Sequence, residues 1–200
     1  LWSKLAGTLE HMAYGWFAAS IAGIAIGAII GSSRTMRTYV APSLEFLRPL
    51  PVSAIIPVAI AMLGLTQAMA LFVISFGAIW PIMLATIHGF AAVEPRLYEV
   101  ARSLQMSKLA VIFKIALPSA SPDILAGMRL SLTVALILSV VCEILAGLDG
   151  LGHWVLLSAR AFRSADLFAG VILLGVTGYV TSVAMSMAEH RLLAWQASQR

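Results

Sequence analysis

Residues 94–122 read EPRLYEVARSLQMSKLAVIFKIALPSASP, a charged and amphipathic segment between long apolar runs of a 200-residue chain. Hydrophobic residues make up 60% of this chain and charged residues 11%, against about 25% charged in a soluble globular domain. No Asp, Glu, Lys or Arg occurs in 49–93 or 167–188. Runs of this length predict helices that cross a bilayer, since about 20 residues at 1.5 Å each span the hydrocarbon core.

The apolar runs predict an all-α integral membrane protein with five spans, at 13–31, 51–65, 68–90, 122–147 and 167–188. The second span is short and contains Pro57, so alone it could also be re-entrant. A hairpin of two crossings that turns at Thr66–Gln67 is favoured. We expect residues 1–12 to form an outer lead-in, residues 191–200 a tail, and a sixth helix to precede Leu1.

The distribution of Lys and Arg predicts the orientation of these spans. If the 94–121 loop is cytoplasmic, that side carries Arg34, Arg37, Arg48, Arg96, Arg102, Lys108, Lys114, Arg191 and Arg200. The outer side then carries only Lys4, Arg160 and Arg163. Basic residues on the cytoplasmic face meet anionic lipid, and no clustered basic face with interleaved aromatics points to nucleic acid.

The 94–121 loop itself predicts two short helices. Pro95 suits the first turn of one helix, and one apolar stripe follows at helical spacing, formed by Leu97, Val100, Ala101 and Leu104. A second helix over about 108–117 is expected to end at Pro118, with the next span starting at Ser121-Pro122-Asp123. This elbow could enter a partner's groove or lie on the lipid interface, and periodicity alone favours neither.

Three ionisable residues inside the predicted spans are candidates for a role in the pathway or its gating, because intramembrane charges are costly. Glu143 is expected near the outer end of its span and Arg129 near the inner end, ~21 Å apart, too far to pair. Glu143 could bond the neighbouring outer loop or line the route. Arg129 could attract an anion, although snorkelling towards the headgroups is favoured. His88 is interpreted as a hydrogen-bonding residue, and no metal site is predicted.

Small residues recur every fourth position in the first span, at Gly15, Ala19, Gly23, Gly27 and Gly31. Such a stripe predicts close helix contact. Packing within the subunit is favoured over packing on an upstream helix.

The outer segment 148–166 opens on a turn-prone Asp149-Gly150-Leu151-Gly152 sequence. A short amphipathic helix is then predicted from the spacing of Trp154, Val155, Leu157 and Phe162. It could be an interfacial anchor or a docking face with Arg160, Arg163 and Asp166 available for charge contacts.

The elbow resembles the EAA loop of permease subunits of bacterial ABC importers. That pattern is Glu-Ala-Ala, three residues, Gly, nine residues, then Ile-x-Leu-Pro. In register with it stand Glu99, Ala101, Ile115, Leu117 and Pro118. Two positions depart, because Val100 replaces an Ala and Gln105 replaces the Gly. Since Gln is disfavoured wherever φ is positive, the turn between the helices is expected to differ or to be weaker.

The resemblance extends over nearly the whole chain, to the nitrate, sulfonate, taurine and bicarbonate branch of these permeases. It rests on Leu47-Arg48-Pro49-Leu50-Pro51, Ile55-Ile56-Pro57, Trp80-Pro81-Ile82, His88-Gly89, the 118–129 segment PSASPDILAGMR, and Glu143 followed by Gly150-Leu151-Gly152.

The resemblance implies the type I importer permease fold over 13–190, in a bacterial cytoplasmic membrane. Two permease copies would form the pathway for a small anion, and a soluble binding protein would deliver it to the outer face. Two separate ATPase subunits, which hold ATP and Mg, would bind the elbow through Leu97, Glu99, Val100, Ala101, Arg102, Leu104, Gln105 and Pro118.

The chain itself has no G-x-x-x-x-G-K-[ST] sequence, so it cannot bind ATP by a P-loop and needs no cofactor of its own. The alternative is an ATP-independent secondary transporter or channel subunit. A secondary transporter should show an internal repeat with interrupted helices, and five spans with one elbow do not repeat.

Overall fold

The computed structural model describes residues 1–47 and 51–193, which are helical apart from short connections. The helices are α1 (Trp2–Gly31), α2 (Arg34–Leu47), α3 (Val52–Leu63), α4 (Gln67–Ala91), α5 (Pro95–Ser103), α6 (Lys108–Val111), a π-helical segment (Ile112–Ala116), α7 (Leu117–Ala146), α8 (Leu151–Arg160) and α9 (Ser164–Leu192). Arg48, Arg200 and the predicted tail beyond residue 193 lie outside the described residues.

Four helical stretches in the described chain are long and apolar enough to cross a membrane: Trp2–Gly31, Gln67–Ala91, Lys108–Ala146 and Ser164–Leu192. The all-helical membrane architecture is thereby confirmed, but the number of long spans is four rather than five. The predicted second span is α3, with 12 residues, which rise only ~18 Å against about 30 Å of hydrocarbon.

The predicted hairpin is formed by α3 and α4. Gly64 ends α3 with φ 69°, and the Thr66 hydroxyl accepts from the Met69 N–H at 3.3 Å to start α4. Val52, at the start of α3, lies against Gly77 near the middle of α4. The short helix therefore follows only one half of its partner.

The first helix starts at Trp2, so most of the predicted lead-in 1–12 is helical. Thr8 and His11 in this part of α1 are buried. Because these polar side chains face protein rather than water, a segment whose composition predicts a lead-in is instead part of the first helix.

The glycine stripe of α1 lies against α4, which confirms packing within the subunit. The two helices run parallel, and the stripe meets its partners in order: Gly15 at Ile74, Gly23 at Ile82, Gly27 at Thr86 and Gly31 at Phe90. A Cβ on Gly27 would lie 2.6 Å from Thr86 Cβ and 2.8 Å from the Met83 carbonyl oxygen. Only a residue without a side chain allows this approach.

Helix α7 completes the core by running antiparallel to α4. The Ser131 hydroxyl donates to the Ala78 carbonyl at 2.7 Å, and the Trp16 indole donates to the Met128 carbonyl at 3.1 Å. Gly31, Ala91 and Leu117 thus lie at one end of the bundle, which we call the elbow end. Trp2, Gln67 and Ala146 lie at the far end.

Pro118 does not end a helix, contrary to the expectation from the sequence. Lys108–Ala146 is one continuous 39-residue helical rod. Ahead of Pro118 the Leu117 N–H bonds the Ile112 carbonyl, five residues back, so the register has shifted by one residue before the proline ring arrives. Pro122 cannot donate to the Pro118 carbonyl, and the Ser121 hydroxyl donates to it instead at 2.8 Å.

The fit of α1 on α4 predicts opposite effects for one substitution at two glycines. Gly27→Ala is expected to destabilise the fold by about 1–3 kcal/mol through overpacking. Gly175→Ala, on α9 where a Cβ meets nothing within 4 Å, should be neutral or stabilising by about 0.5–1 kcal/mol. Thermal melting in lipid nanodiscs measures both, and equal effects would contradict the packing assigned to α1.

Candidate functional site

The elbow consists of α5, a turn and α6. Its turn is a helix C-cap in which the Met106 N–H donates to the Ala101 carbonyl and the Gln105 N–H to the Arg102 carbonyl, both at 3.0 Å. Gln105 itself has φ 51°, in the left-handed region. The turn therefore keeps the geometry that favours glycine, at a cost of about 1–2 kcal/mol for a residue with a Cβ.

The predicted apolar stripe of α5 divides between two directions. Ala101 is buried, with 2% of its surface exposed, whereas Leu97, Val100 and Leu104 are exposed by 38%, 54% and 68%. We call these last three residues the elbow ridge. Glu99, Arg102 and Gln105 are exposed as well, and Pro118 is half-buried in the rod.

The inner face of the elbow is held by a small apolar cluster. Phe90, Val93, Ala116, Ala120 and Ile124 form its buried part, and Tyr98 and Ile112 pack against it. Close by, the Arg37 guanidinium donates to the Gly31 carbonyl at 2.7 Å. Burial raises the pKa of the Tyr98 hydroxyl, and the charge of Arg37 opposes that rise, so Tyr98 is a protonated donor at neutral pH.

The far end of the bundle holds Glu143, which is completely buried. Its carboxylate accepts from the Thr8 hydroxyl at 2.9 Å and from the Gly152 N–H at 2.8 Å, and His11 Nδ1 lies 3.2 Å from its other oxygen. The Thr8 hydroxyl in turn accepts from the Leu151 N–H at 2.8 Å. This network joins α1, α7 and the start of α8.

Two glycines allow the same network to close. A Cβ on Gly150 would overlap the Glu143 carboxylate, and one on Gly7 would overlap the Asp149 carbonyl oxygen. The Lys4 ammonium forms an ion pair with the Asp149 side chain at the rim. The α7–α8 connection is therefore fixed to α1 by backbone as well as side-chain contacts.

Arg129 and His88 each have one acidic partner. Arg129 lies ~18 Å along α7 from Leu117, and it forms an ion pair with Glu189 of α9. His88 Nδ1 lies 3.5 Å from the Asp123 carboxylate, with both side chains substantially exposed. No group of three metal-ligating residues is found in the part of the chain that the structure describes.

The outer candidates lie at the corner between α8 and α9. Arg163 and Asp166 pair at 3.2 Å, and Arg160 is exposed at the end of α8. The prediction that Phe162 belongs to the amphipathic helix is wrong, because α8 ends at Arg160. It has φ 54° and is 93% exposed.

Sequence reasoning did not identify three partners of the candidate residues: Thr8, His11 and Glu189. Thr8 and His11 share a face of α1 one turn apart, but only the packing of α7 and α8 on α1 shows what they face. Glu189 lies 60 residues from Arg129 along the chain. The sole signal for Glu189 was an acid at the end of an otherwise uncharged span.

A sequence model of the family described as "Binding-protein-dependent transport system inner membrane component" matches residues 21–193. The chain is 32% identical over 99% of its length to SsuC of Bacillus subtilis, a permease protein named for aliphatic sulfonates transport, of which 72% is covered. It is 30% identical over 98% of its length to the taurine transport system permease protein TauC of Escherichia coli, of which 71% is covered.

A nitrate import permease protein, NrtB of Leptolyngbya laminosa, is 30% identical over 96% of the chain and is covered over 69% of its own length. Among solved structures, the fold is similar to an inward-facing structure of the MetNI methionine ABC transporter. The TM-score is 0.79, with 17% identity and 93% of each chain covered.

The left-handed turn predicts that Gln105→Gly strengthens the elbow. We expect a net gain of about 0.5–1 kcal/mol, since the steric cost is removed and part of it is replaced by the entropy of glycine. Slower amide exchange of the Met106 N–H, followed by mass spectrometry of peptides over 101–111, measures this gain. Gln105→Ala keeps the Cβ and is the control, and an equal slowing there would refute the explanation.

The buried network predicts that Glu143→Gln costs about 1.5–3 kcal/mol, because the bonds from the Thr8 hydroxyl and the Gly152 N–H are stronger to a charged carboxylate than to a neutral amide. A lower melting temperature in nanodiscs is the measurement. Asp149→Asn, which changes the nearby exposed carboxylate paired with Lys4, should cost no more than about 1 kcal/mol. If both variants lower the melting temperature equally, the burial of Glu143 does not explain the effect of its substitution.

Proposed function

This chain belongs to the family of binding-protein-dependent transport system inner membrane components, and we propose that two copies form the translocation pathway for a small anion. It is a permease component of an ABC transporter, a multi-pass inner membrane protein that is not itself catalytic, with the ATPase on a separate chain. That membership excludes the ATP-independent transporter or channel.

The observation that carries the coupling proposal is the elbow ridge. Leu97, Val100 and Leu104 are exposed on one side of α5 while Ala101 fixes the other side to the bundle. An amphipathic helix that presents apolar anchors at this spacing suits a groove on a partner protein. We assign that partner as the ATPase subunit, with Glu99, Arg102 and Gln105 at the margin of the contact.

The continuous rod gives the elbow a mechanical connection to the pathway. Because α6, the π-helical segment and α7 form one rod of 39 residues, a displacement at Lys108 is carried along the rod towards Pro118 and Arg129. ATP-driven closure of the ATPase pair would move the elbow, and α7 would reorient between inward-open and outward-open states. Glu143 is then the fixed point at the other end of α7.

The Lys and Arg distribution supports an orientation with the elbow end and the C-terminus in the cytoplasm. The fifth crossing would include α3, whose 12 residues lie along only one half of α4. A soluble binding protein would approach the α8–α9 corner, where exposed Phe162 lies beside Arg160, Arg163 and Asp166. Exposed apolar faces on α7 and α9, including Ile137 and Val176, leave area for the second copy and for lipid.

The small-anion assignment is supported by the names of relatives at about 30% identity, which specify sulfonates, taurine, nitrate and bicarbonate. Arg129 is unsuited to hold the anion permanently, because Glu189 already neutralises it. His88 is similarly occupied by Asp123. Both ion pairs are gating candidates. Movement of α7 would break each pair and let its members change partners.

The ridge predicts that Leu104→Asp weakens ATPase binding at least about tenfold, as expected for an apolar anchor at an interface centre. Co-purification of the ATPase with tagged permease from membranes measures the loss. Phe162→Asp introduces the same charge at an exposed apolar residue of the far end and should retain the ATPase. If both variants retain it, the ridge is not the contact.

The substrate assignment predicts saturable, ATP-dependent uptake of at least one of taurine, an alkanesulfonate, nitrate and bicarbonate. Proteoliposomes that contain the permease with its ATPase, supplied with its binding protein outside, provide the assay. Uptake of a neutral sugar or amino acid with none of the four anions would contradict the assignment.

A further inference from the structure

A cavity of about 670 Å³ lies between the end of α1 and the inner side of the elbow. Ser32, Ser33 and Arg34 form one wall, and Tyr98, Ala101 and Arg102 form the opposite one. Lys108 stands at its margin, where the rod begins. A second cavity of about 420 Å³ adjoins it and shares Ser32, Arg34, Tyr98 and Arg102.

The charge of this region is strongly one-sided. Arg34, Arg102 and Lys108 line the first cavity and Arg37 lines the second, whereas the only acidic residue in either lining is Glu99. None of the four cations forms an ion pair with a described carboxylate. Four cations against one acid in a concave site raise the local concentration of anions.

The donors suit a phosphate group in particular. Arginine presents a planar set of N–H donors that matches phosphate oxygens, and lysine adds a mobile point charge. The Tyr98 hydroxyl is half-buried at the same wall and remains protonated, because burial raises its pKa. We call the two adjoining cavities the basic pocket. The basic pocket can surround a phosphate with charged and neutral donors from two sides.

The remainder of the lining is apolar, which distinguishes a lipid from a free ion. Met106, Val111, Ile112 and Ala116 form the floor, and exposed Ile29 lies one turn away on α1. Gly31 and Ala91 end their long helices beside the site, so the cavity lies at the boundary between the spans and the elbow. Glycerol and acyl carbons would contact the floor while the phosphate meets the cations.

We propose that this basic pocket binds the phosphate-bearing headgroup of an anionic phospholipid in the cytoplasmic leaflet. The assignment to the cytoplasmic leaflet rests on the proposed orientation of the chain, whereas the binding of the lipid does not depend on that orientation. The elbow ridge contributes none of the lining residues, so an ATPase seated on Leu97, Val100 and Leu104 would meet the pocket only at its rim, where Glu99 and Arg102 lie. A bound lipid would join α1 and α2 to the inner face of α5 and stiffen the elbow.

The test uses the purified permease alone in nanodiscs of phosphatidylcholine with graded phosphatidylglycerol. Native mass spectrometry measures how much phosphatidylglycerol stays bound after ejection from the disc. Arg34→Gln combined with Lys108→Gln is expected to weaken its retention about thirtyfold, since each cation near an anionic headgroup contributes roughly fivefold. Arg96→Gln combined with Lys114→Gln removes the same charge outside the lining and should leave retention unchanged.

Three outcomes would overturn the proposal. If both double variants retain as much lipid as the unsubstituted permease, the pocket does not bind the lipid. If both lose the same amount, only the net charge of the protein matters. If 10 mM inorganic phosphate, an amount on the order of a free-anion site's millimolar affinity, displaces the lipid and protects against melting without it, the site takes a soluble anion. Because neither ATPase nor uptake enters this assay, its failure is separate from any failure of the transport function.

Discussion

The bilayer requires that each spanning helix satisfies its own backbone hydrogen bonds, and much of this structure follows from how the chain meets that demand around proline. Pro118 and Pro122 would leave two carbonyls without donors at the base of α7. The five-residue spacing at Leu117 shifts the register before Pro118, and the Ser121 hydroxyl donates to the Pro118 carbonyl, which Pro122 cannot reach. As a result α6 and α7 are parts of one rod rather than two helices joined by a hinge.

This explains why sequence reasoning identified the elbow correctly but misjudged how it is attached. Charge clustering and the spacing from Glu99 to Pro118 contain enough information to find the segment. The usual effect of proline predicts that a helix ends at Pro118, but the register shift at Leu117 precedes the proline and the helix continues through it. The Ser121 hydroxyl then replaces the donor that Pro122 lacks, in a place where the bilayer cannot supply water for the missing bond.

Contacts between residues that are far apart in the chain are the second feature that the sequence does not predict. The glycine stripe of α1 predicts close packing, and the contact of Gly27 with Thr86 confirms it. The stripe cannot reveal that Thr8 and His11 on the same helix face Glu143. Likewise Arg129 was recognised as a costly intramembrane charge, yet its neutralisation by Glu189 depends on the register of α9 against α7. A buried charge predicts that a partner exists, but the tertiary fold decides which one.

Gln105 shows how a departure from a family pattern can leave geometry intact. The left-handed conformation persists at φ 51°, although a Cβ there costs about 1–2 kcal/mol. Two backbone bonds of the cap oppose that cost, and Ala101 and Met106, joined by one of them, both line the pocket behind the elbow. Abandoning the conformation would break the Met106–Ala101 bond and change the angle between α5 and the rod. The fold therefore accepts local strain because the direction of the elbow depends on it.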